Sequence, residues 1–354
     1  MLTETVAGRT YDYSHSVGRG SQTGMGFSNP VAMALGQDNV VFVVNRGSEG
    51  ISNVAWNRTG YGARVGRVVL GSQSNEEQYL GEFSTYGDSD GQYIWGAGIA
   101  VDGQGNVYVT DEWLNRVSVF DKEGKFLRHW STVESGDSGP NGAAGIAIDG
   151  ASNVYVTDSR SHQVQKFTTD GKLLETWSRH GSGQGELDSP WGITLDQNGD
   201  VYIADFKNHR VQKFTPSGEF ITQFGSHGTK RGELNYPTDV AVDPEGDVYI
   251  CDWSANGWES GRVHIFDKDA KFITSLVGDA QELSLWAQMT VDANADYAKR
   301  RREVRTTEPE WRFAQPTAVE FDAENGRLLV VDTQRSRLQI YNKQTKYLVP
   351  QLNL

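Results

Sequence analysis

One pattern is written twice between Pro190 and Asp252, and it constrains the chain more than any other feature. PWGITLDQNGDVYIADFKNHRVQKFTPSGEFITQFGSHGTKRGELNY runs directly into PTDVAVDPEGDVYICDW, so Asp196 recurs at Asp243 and Asp205 at Asp252, 47 residues on in each case. Extended backwards, the register collects Asp102 and Asp149 in the first series and Asp111 and Asp158 in the second. A fixed period of this length marks a repeat architecture whose unit is one supersecondary module.

Within a module the apolar period is two, at Ile193 to Leu195, Val201 to Ile203, Val211 to Phe214 and Phe220 to Phe224. Turn chemistry separates the runs: Gln197-Asn198-Gly199-Asp200 and Thr215-Pro216-Ser217-Gly218. Each repeat is therefore expected to be an antiparallel meander of four strands, a to d. The b-strand ends at Asn45, Asp111, Asp158, Asp205, Asp252 and Asp332 count six units. The fold class is all-β, a six-bladed propeller in one domain.

The expected division is a closing strand and connection over 1–26, blade I over 27–93, II over 94–141, III over 142–188, IV over 189–235 and V over 236–278. A helical lid insert follows over 279–312 and blade VI over 313–354. Tyr11, Tyr13 and Val17 alternate like a strand d without a blade, so the N-terminus is expected to close the ring, with Tyr347-Leu348-Val349 as its rival. In blade I the b–c loop is long, with 22 positions from Asn45 to Arg67 against 5 from Asp205 to Arg210. In the insert, Asp279 and Glu282 have capping-box spacing ahead of Leu283, Trp286 and Met289, and a second helical piece is expected from Tyr297 to Val304. A calcium-loop spacing at Asp292, Asn294, Asp296 and Glu303 has Tyr297 where the turn needs glycine.

The formal charge of −13 repels phosphate backbones and argues against nucleic acid as a partner. No apolar run approaches membrane-spanning length, and the one cysteine, Cys251, sits in a strand-b slot held elsewhere by Thr110, Thr157 and Ala204. The expected location is cytoplasmic, with no membrane partner.

The repeats resemble NHL repeats through P-x-x-[IV]-x-[VL]-D, G-[DN]-V-Y-[IV]-x-D, N-[HR]-[RQ]-V-x-x-F and F-G-S-x-G-x-x-x-G-[EQ]-[LF]. Proteins built on such propellers include enzymes, sensor domains and binding platforms, so the likeness implies the fold and leaves function open. Blade I, from Asn39 to Gly47, is distantly similar to the first blade of peptidyl-hydroxyglycine amidating lyase, and that likeness makes Arg46 a functional residue facing the mouth. The lyase's zinc histidines are missing, because their slots hold Ala97, Trp191 and Thr317; its catalytic tyrosine would fall near Arg160.

The d–a and b–c connections share one face, and the long inserts all lie there, in blades V, VI and I. A working site is expected at that channel mouth, under the insert. Acid–arginine pairs that recur in four of the six blades (Asp111/Arg116, Asp205/Arg210, Asp252/Arg262, Asp332/Arg337), with Asn45 for the acid in blade I and Gln163 for the arginine in blade III, read as structural. Departures from the repeat are more informative. Strand a carries small residues near the axis, yet Asp239 and Glu320 stand in neighbouring blades on the same side of their strands. Two carboxylates there suit acid–base work or a divalent ion (Ca, Zn or Mg), with Arg46 as an anion clamp. His162, His180, His209 and His227 form a second candidate metal set. Trp113, Phe206, Trp253 and Trp258 in b–c loops, with Trp191 and Trp286, supply an aromatic collar, and Arg160 is the remaining candidate substrate contact. The expected function is a lyase or hydrolase acting on a small-molecule substrate. The alternative is a non-enzymatic scaffold that binds a protein or peptide partner.

Overall fold

The computed structural model describes residues 3–6, 8–51, 58–133, 142–253, 261–294, 296, 299 and 310–344. Its core is a ring of six antiparallel sheets, one per repeat. Blade IV shows the plan, with strand a at Pro190–Leu195, b at Val201–Asp205, c at Arg210–Phe214 and d at Phe220–Phe224. Strand b is buried along its whole length, which is why its sequence is a continuous β-branched and aromatic run. Strand d alternates between exposed and covered residues, as an outer strand with one packed face should. The core lies between adjacent blades; Tyr202 and Phe224 of blade IV, for example, pack with Val248 and Ile250 of blade V.

The N-terminus closes the ring. Strand β2 (Arg9–Val17) pairs antiparallel with strand c of blade VI (Arg337–Gln344), from Thr10 opposite Gln344 to Val17 opposite Leu338, and β1 (Thr3–Val6) adds a fifth strand outside it. The rival segment, Tyr347 to Val349, lies outside the described residues. A buried ion network fastens the closure. Lys343 meets Asp243 and, at 2.8 Å, Asp247, while Arg9 donates from Nε and Nη2 to the two Asp247 oxygens at 2.6 Å each.

One strand register and one helix cap differ from expectation. The strand-c arginine of blade I is Arg64, opposite Asn45, and not Arg67, because the loop between them carries its own hairpin, Ser48–Ile51 with Arg58–Tyr61. The insert helix α1 (Leu285–Asp292) is capped by Ser284, whose hydroxyl accepts the Ala287 amide, and not by Asp279, whose own amide is taken by Gln339. The second helical piece falls mostly outside the described residues. No helix among the described residues is long and apolar enough to cross a membrane.

The repeated acid at the end of strand b is a corner fastener. Asp205 has no exposed surface and accepts the Asp188 amide at 2.7 Å, Arg210 Nε at 2.9 Å and Gln212 Nε2 at 3.0 Å. Asp332 pairs with Arg337 at 2.8 Å in the same way. In blade II the roles separate: Asp111 accepts the backbone amides of Ile94, Trp95, Trp113 and Leu114, and Arg116 donates to the carbonyls of Asp88, Ser89 and Gln92. Blade I achieves the corner with a neutral amide, Asn45 accepting from Ser28 and donating to Arg64.

Candidate functional site

Strand a of every blade lines the axis, and glycines at 98, 145 and 192 let neighbouring strands approach closely. A Cβ on Gly145 would stand 2.3 Å from the Trp191 carbonyl oxygen. Threonines of strand b stitch these seams, as Thr157 Oγ1 accepts the Gly145 amide at 2.8 Å and donates to the Trp191 carbonyl at 2.5 Å. The space left on the axis is a cavity of about 60 Å³, room for water and small ions.

Asp239 and Glu320 both border this void. Asp239 fills the gap that Gly192 leaves, where a Cβ would meet its Oδ1 at 2.2 Å, and its Oδ2 accepts the Val319 amide of blade VI at 3.0 Å. Both side chains border the cavity and are half-buried. Burial pushes Asp239 up to about 7 against the pull of the Val319 and Val240 amides. Burial and then the charge of Asp239 push Glu320 up to about 8. The charge of Asp239 favours the protonated form of Glu320, so the two titrate as a coupled pair. Among the described residues no third histidine, cysteine or carboxylate joins them in a cluster with metal-ligand spacing.

Above the channel, on the b–c loop face, lies a cleft of about 470 Å³. Of the residues singled out in the sequence, Arg46, Arg160, His162, Trp191, Phe206 and Trp253 converge on it; Glu112, Ser159, Ser189 and Lys207 complete the wall. Trp191 borders both the cleft and the channel void, so the two spaces adjoin at that residue. Three rings form one apolar wall, with Trp191 5.3 Å from Phe206 and 6.1 Å from Trp253. The facing wall is polar. Arg46 pairs with Glu112 at 2.5 Å and lies over the Trp95 ring at 4.9 Å. Burial raises the Glu112 carboxyl, and Arg46 opposes that rise.

The position immediately after each strand-b terminus holds Arg46, Glu112, Ser159, Phe206, Trp253 and Thr333. The first five of these line the cleft. Sequence reasoning missed Glu112 and Ser159 because it weighed loop aromatics one at a time. Reading that repeat slot as a set would have found both.

Other candidates lie elsewhere. Trp286 is 2% exposed and packs on Phe27 and Tyr79 in the core between blades VI and I. Helix α1 is therefore a buttress at that seam and not a cover over the axis, since its one buried side chain is spent on the core. Trp113 packs on Trp95 at 5.0 Å, beside the cleft but not in its wall. Trp258 lies outside the described residues. The cleft is built by blades I to V, displaced from the expected V–VI–I sector.

The four histidines do not converge. They form two repeat-related pairs, His162 with His180 at 4.2 Å between rings and His209 with His227 at 4.0 Å. Burial and the neighbouring His180 lower the pKa of His162.

Comparison with known proteins agrees with the ring of repeats. NHL repeats match at residues 141–167, 187–214 and 234–266, and a β-propeller repeat matches at 78–110. The chain is a six-bladed β-propeller carrying NHL repeats. One curated relative is the B-box type zinc finger protein ncl-1 of Caenorhabditis elegans, 44% identical over 48 residues, which are 14% of this chain and 6% of that protein. A structure of a protein of unknown function from Bacteroides thetaiotaomicron aligns over 95% of this propeller and 76% of its own chain, at 17% identity and a TM-score of 0.58. A catalytically inactive virginiamycin B lyase from Staphylococcus aureus, solved with quinupristin, aligns over 93% of this propeller and 98% of its own chain, at 12% identity and a TM-score of 0.53. At these identities the likeness is one of fold.

Proposed function

We propose that the NHL propeller is an enzyme of lyase or hydrolase type, and that it binds a small anionic molecule with a flat apolar part in the cleft under Arg46. The observation that carries this reading is Trp191, shared between the cleft and the channel void that holds Asp239 and Glu320. A void of about 60 Å³ is too small for a substrate, so the carboxylates reach a molecule in the cleft through water. Near neutral pH the pair can hold one proton and pass another. The cleft sets Arg46, Arg160 and Lys207 against Glu112, a local excess of positive charge on a chain of net charge −13. That reversal favours an anion, and the Trp191–Phe206–Trp253 wall favours a planar group beside it. Arg46 acts as the clamp, a role in keeping with the likeness of blade I to that of the amidating lyase. A lyase is also among the proteins that share the fold.

The test is a turnover screen of ester, lactone and β-elimination substrates, each carrying an aromatic group and a carboxylate, on the wild type, Arg46→Ala and Asp239→Asn/Glu320→Gln. The expected result is a substrate whose KM rises in Arg46→Ala and whose kcat falls in the double variant, with circular dichroism unchanged. Turnover that both variants leave at the wild-type level would overturn the assignment. Binding of such compounds without turnover would instead favour the non-enzymatic scaffold.

A further inference from the structure

The two histidine pairs are the same device built twice, with one difference. His162 and His209 occupy equivalent left-handed positions ahead of strand c, at φ 58° and 57°. His180 and His227 occupy equivalent bridge positions beyond strand d, opposite Leu187 and Leu234. The residue that follows each of those leucines is Asp188 in blade III and Asn235 in blade IV. In blade IV, His209 Nδ1 is engaged by the Asn235 carbonyl, and the rings stack at 27°. In blade III, a carboxylate spans the edges of the two rings, with Asp188 Oδ1 3.4 Å from His162 Nδ1 and Oδ2 3.6 Å from His180 Nε2.

We propose that His162, His180 and Asp188 form a binding site for one divalent transition-metal ion of the zinc type. The three side chains each offer a donor atom, and these atoms lie within 4.8 Å of one another. Donors around a tetrahedral zinc ion, bonded at about 2.0–2.1 Å, stand roughly 3.3 Å apart, so the set needs only a small contraction. His180, with 64% of its side chain exposed, has the freedom to supply it. Two imidazole nitrogens and one carboxylate oxygen are a donor set suited to zinc, and three protein ligands leave one position open. Occupancy exchanges the hydrogen bond from the Ser189 amide to His162 Nδ1, 2.9 Å long, for a metal–nitrogen bond. Because His162 also lines the cleft, the ion would stand in the cleft wall. The site holds whether or not the cleft catalyses a reaction.

Calorimetric titration of the chelator-treated full chain with zinc chloride tests this. The wild type is expected to take up one zinc ion per chain. Asp188→Asn, which reproduces the residue found in blade IV, and His180→Ala are each expected to weaken binding at least tenfold, while His209→Ala leaves it unchanged. Circular dichroism of each variant checks the fold. The proposal is overturned if the wild type takes up no zinc, if Asp188→Asn and His180→Ala bind as the wild type does, or if binding is lost only in Asp239→Asn/Glu320→Gln.

Discussion

The carboxylate of Asp239 crosses from blade V to blade VI and accepts the Val319 backbone amide at 3.0 Å. A half-buried acid is thereby fixed at the channel void, which a second one, Glu320, also borders. Both are raised above their ordinary values of 3.8 and 4.5, to about 7 and about 8. A raised folded-state pKa means that the native state holds protons the unfolded chain releases. The contribution of these groups to stability is complete below about pH 4 and is lost as pH rises through 7 to 8. Asp239→Asn/Glu320→Gln should therefore flatten the fall in Tm between pH 5 and pH 8.5. Thermal melts across that range would contradict this if the double variant kept the wild-type slope.

Thr157 is expected to matter through its hydroxyl alone. Thr157→Val keeps the shape but leaves the Gly145 amide and the Trp191 carbonyl without their partner, a loss of about 1–3 kcal/mol. Urea unfolding measures it. Because Trp191 borders the void, its fluorescence should shift as well.

Asp205→Ala should destabilise the fold by about 3 kcal/mol or more, since it removes the carboxylate that pairs with the buried Arg210 guanidinium and accepts the Asp188 amide. Chemical denaturation gives the value, and a near-neutral result would remove the corner-fastening role.

The repeat made the fold legible because every blade writes the same acid, turn and strand b. Closure by β2 was legible in the alternation of Tyr11, Tyr13 and Val17. The blade I register was not, because an inserted hairpin moves the strand-c arginine and Arg64 and Arg67 look equivalent in sequence. Asp239 and Glu320 could be placed on the axis because strand a there is otherwise built of small residues. The seat of Trp286 could not be read, because sequence shows apolar residues at 283, 286 and 289 without showing which surface each meets.

Trp286→Ala should destabilise the protein by about 3–5 kcal/mol, since it empties a filled core site between Phe27 and Tyr79. Ligand affinity at the cleft should be unchanged in the fraction that remains folded. Equilibrium unfolding and a binding titration separate the two effects, and a loss of affinity without loss of stability would restore a lid.

The central claim is that small molecules bind in the cleft walled by Trp191, Phe206 and Trp253. Fluorine NMR of the 5-fluorotryptophan-labelled protein tests it most directly, with its ten tryptophan signals assigned by substitution and an aromatic carboxylate series as titrant. The account predicts saturable shifts at Trp191 and Trp253, with Trp130 and Trp286 unmoved. Saturable shifts confined to Trp286, or no shift at Trp191 and Trp253 with any member of the series, would contradict it.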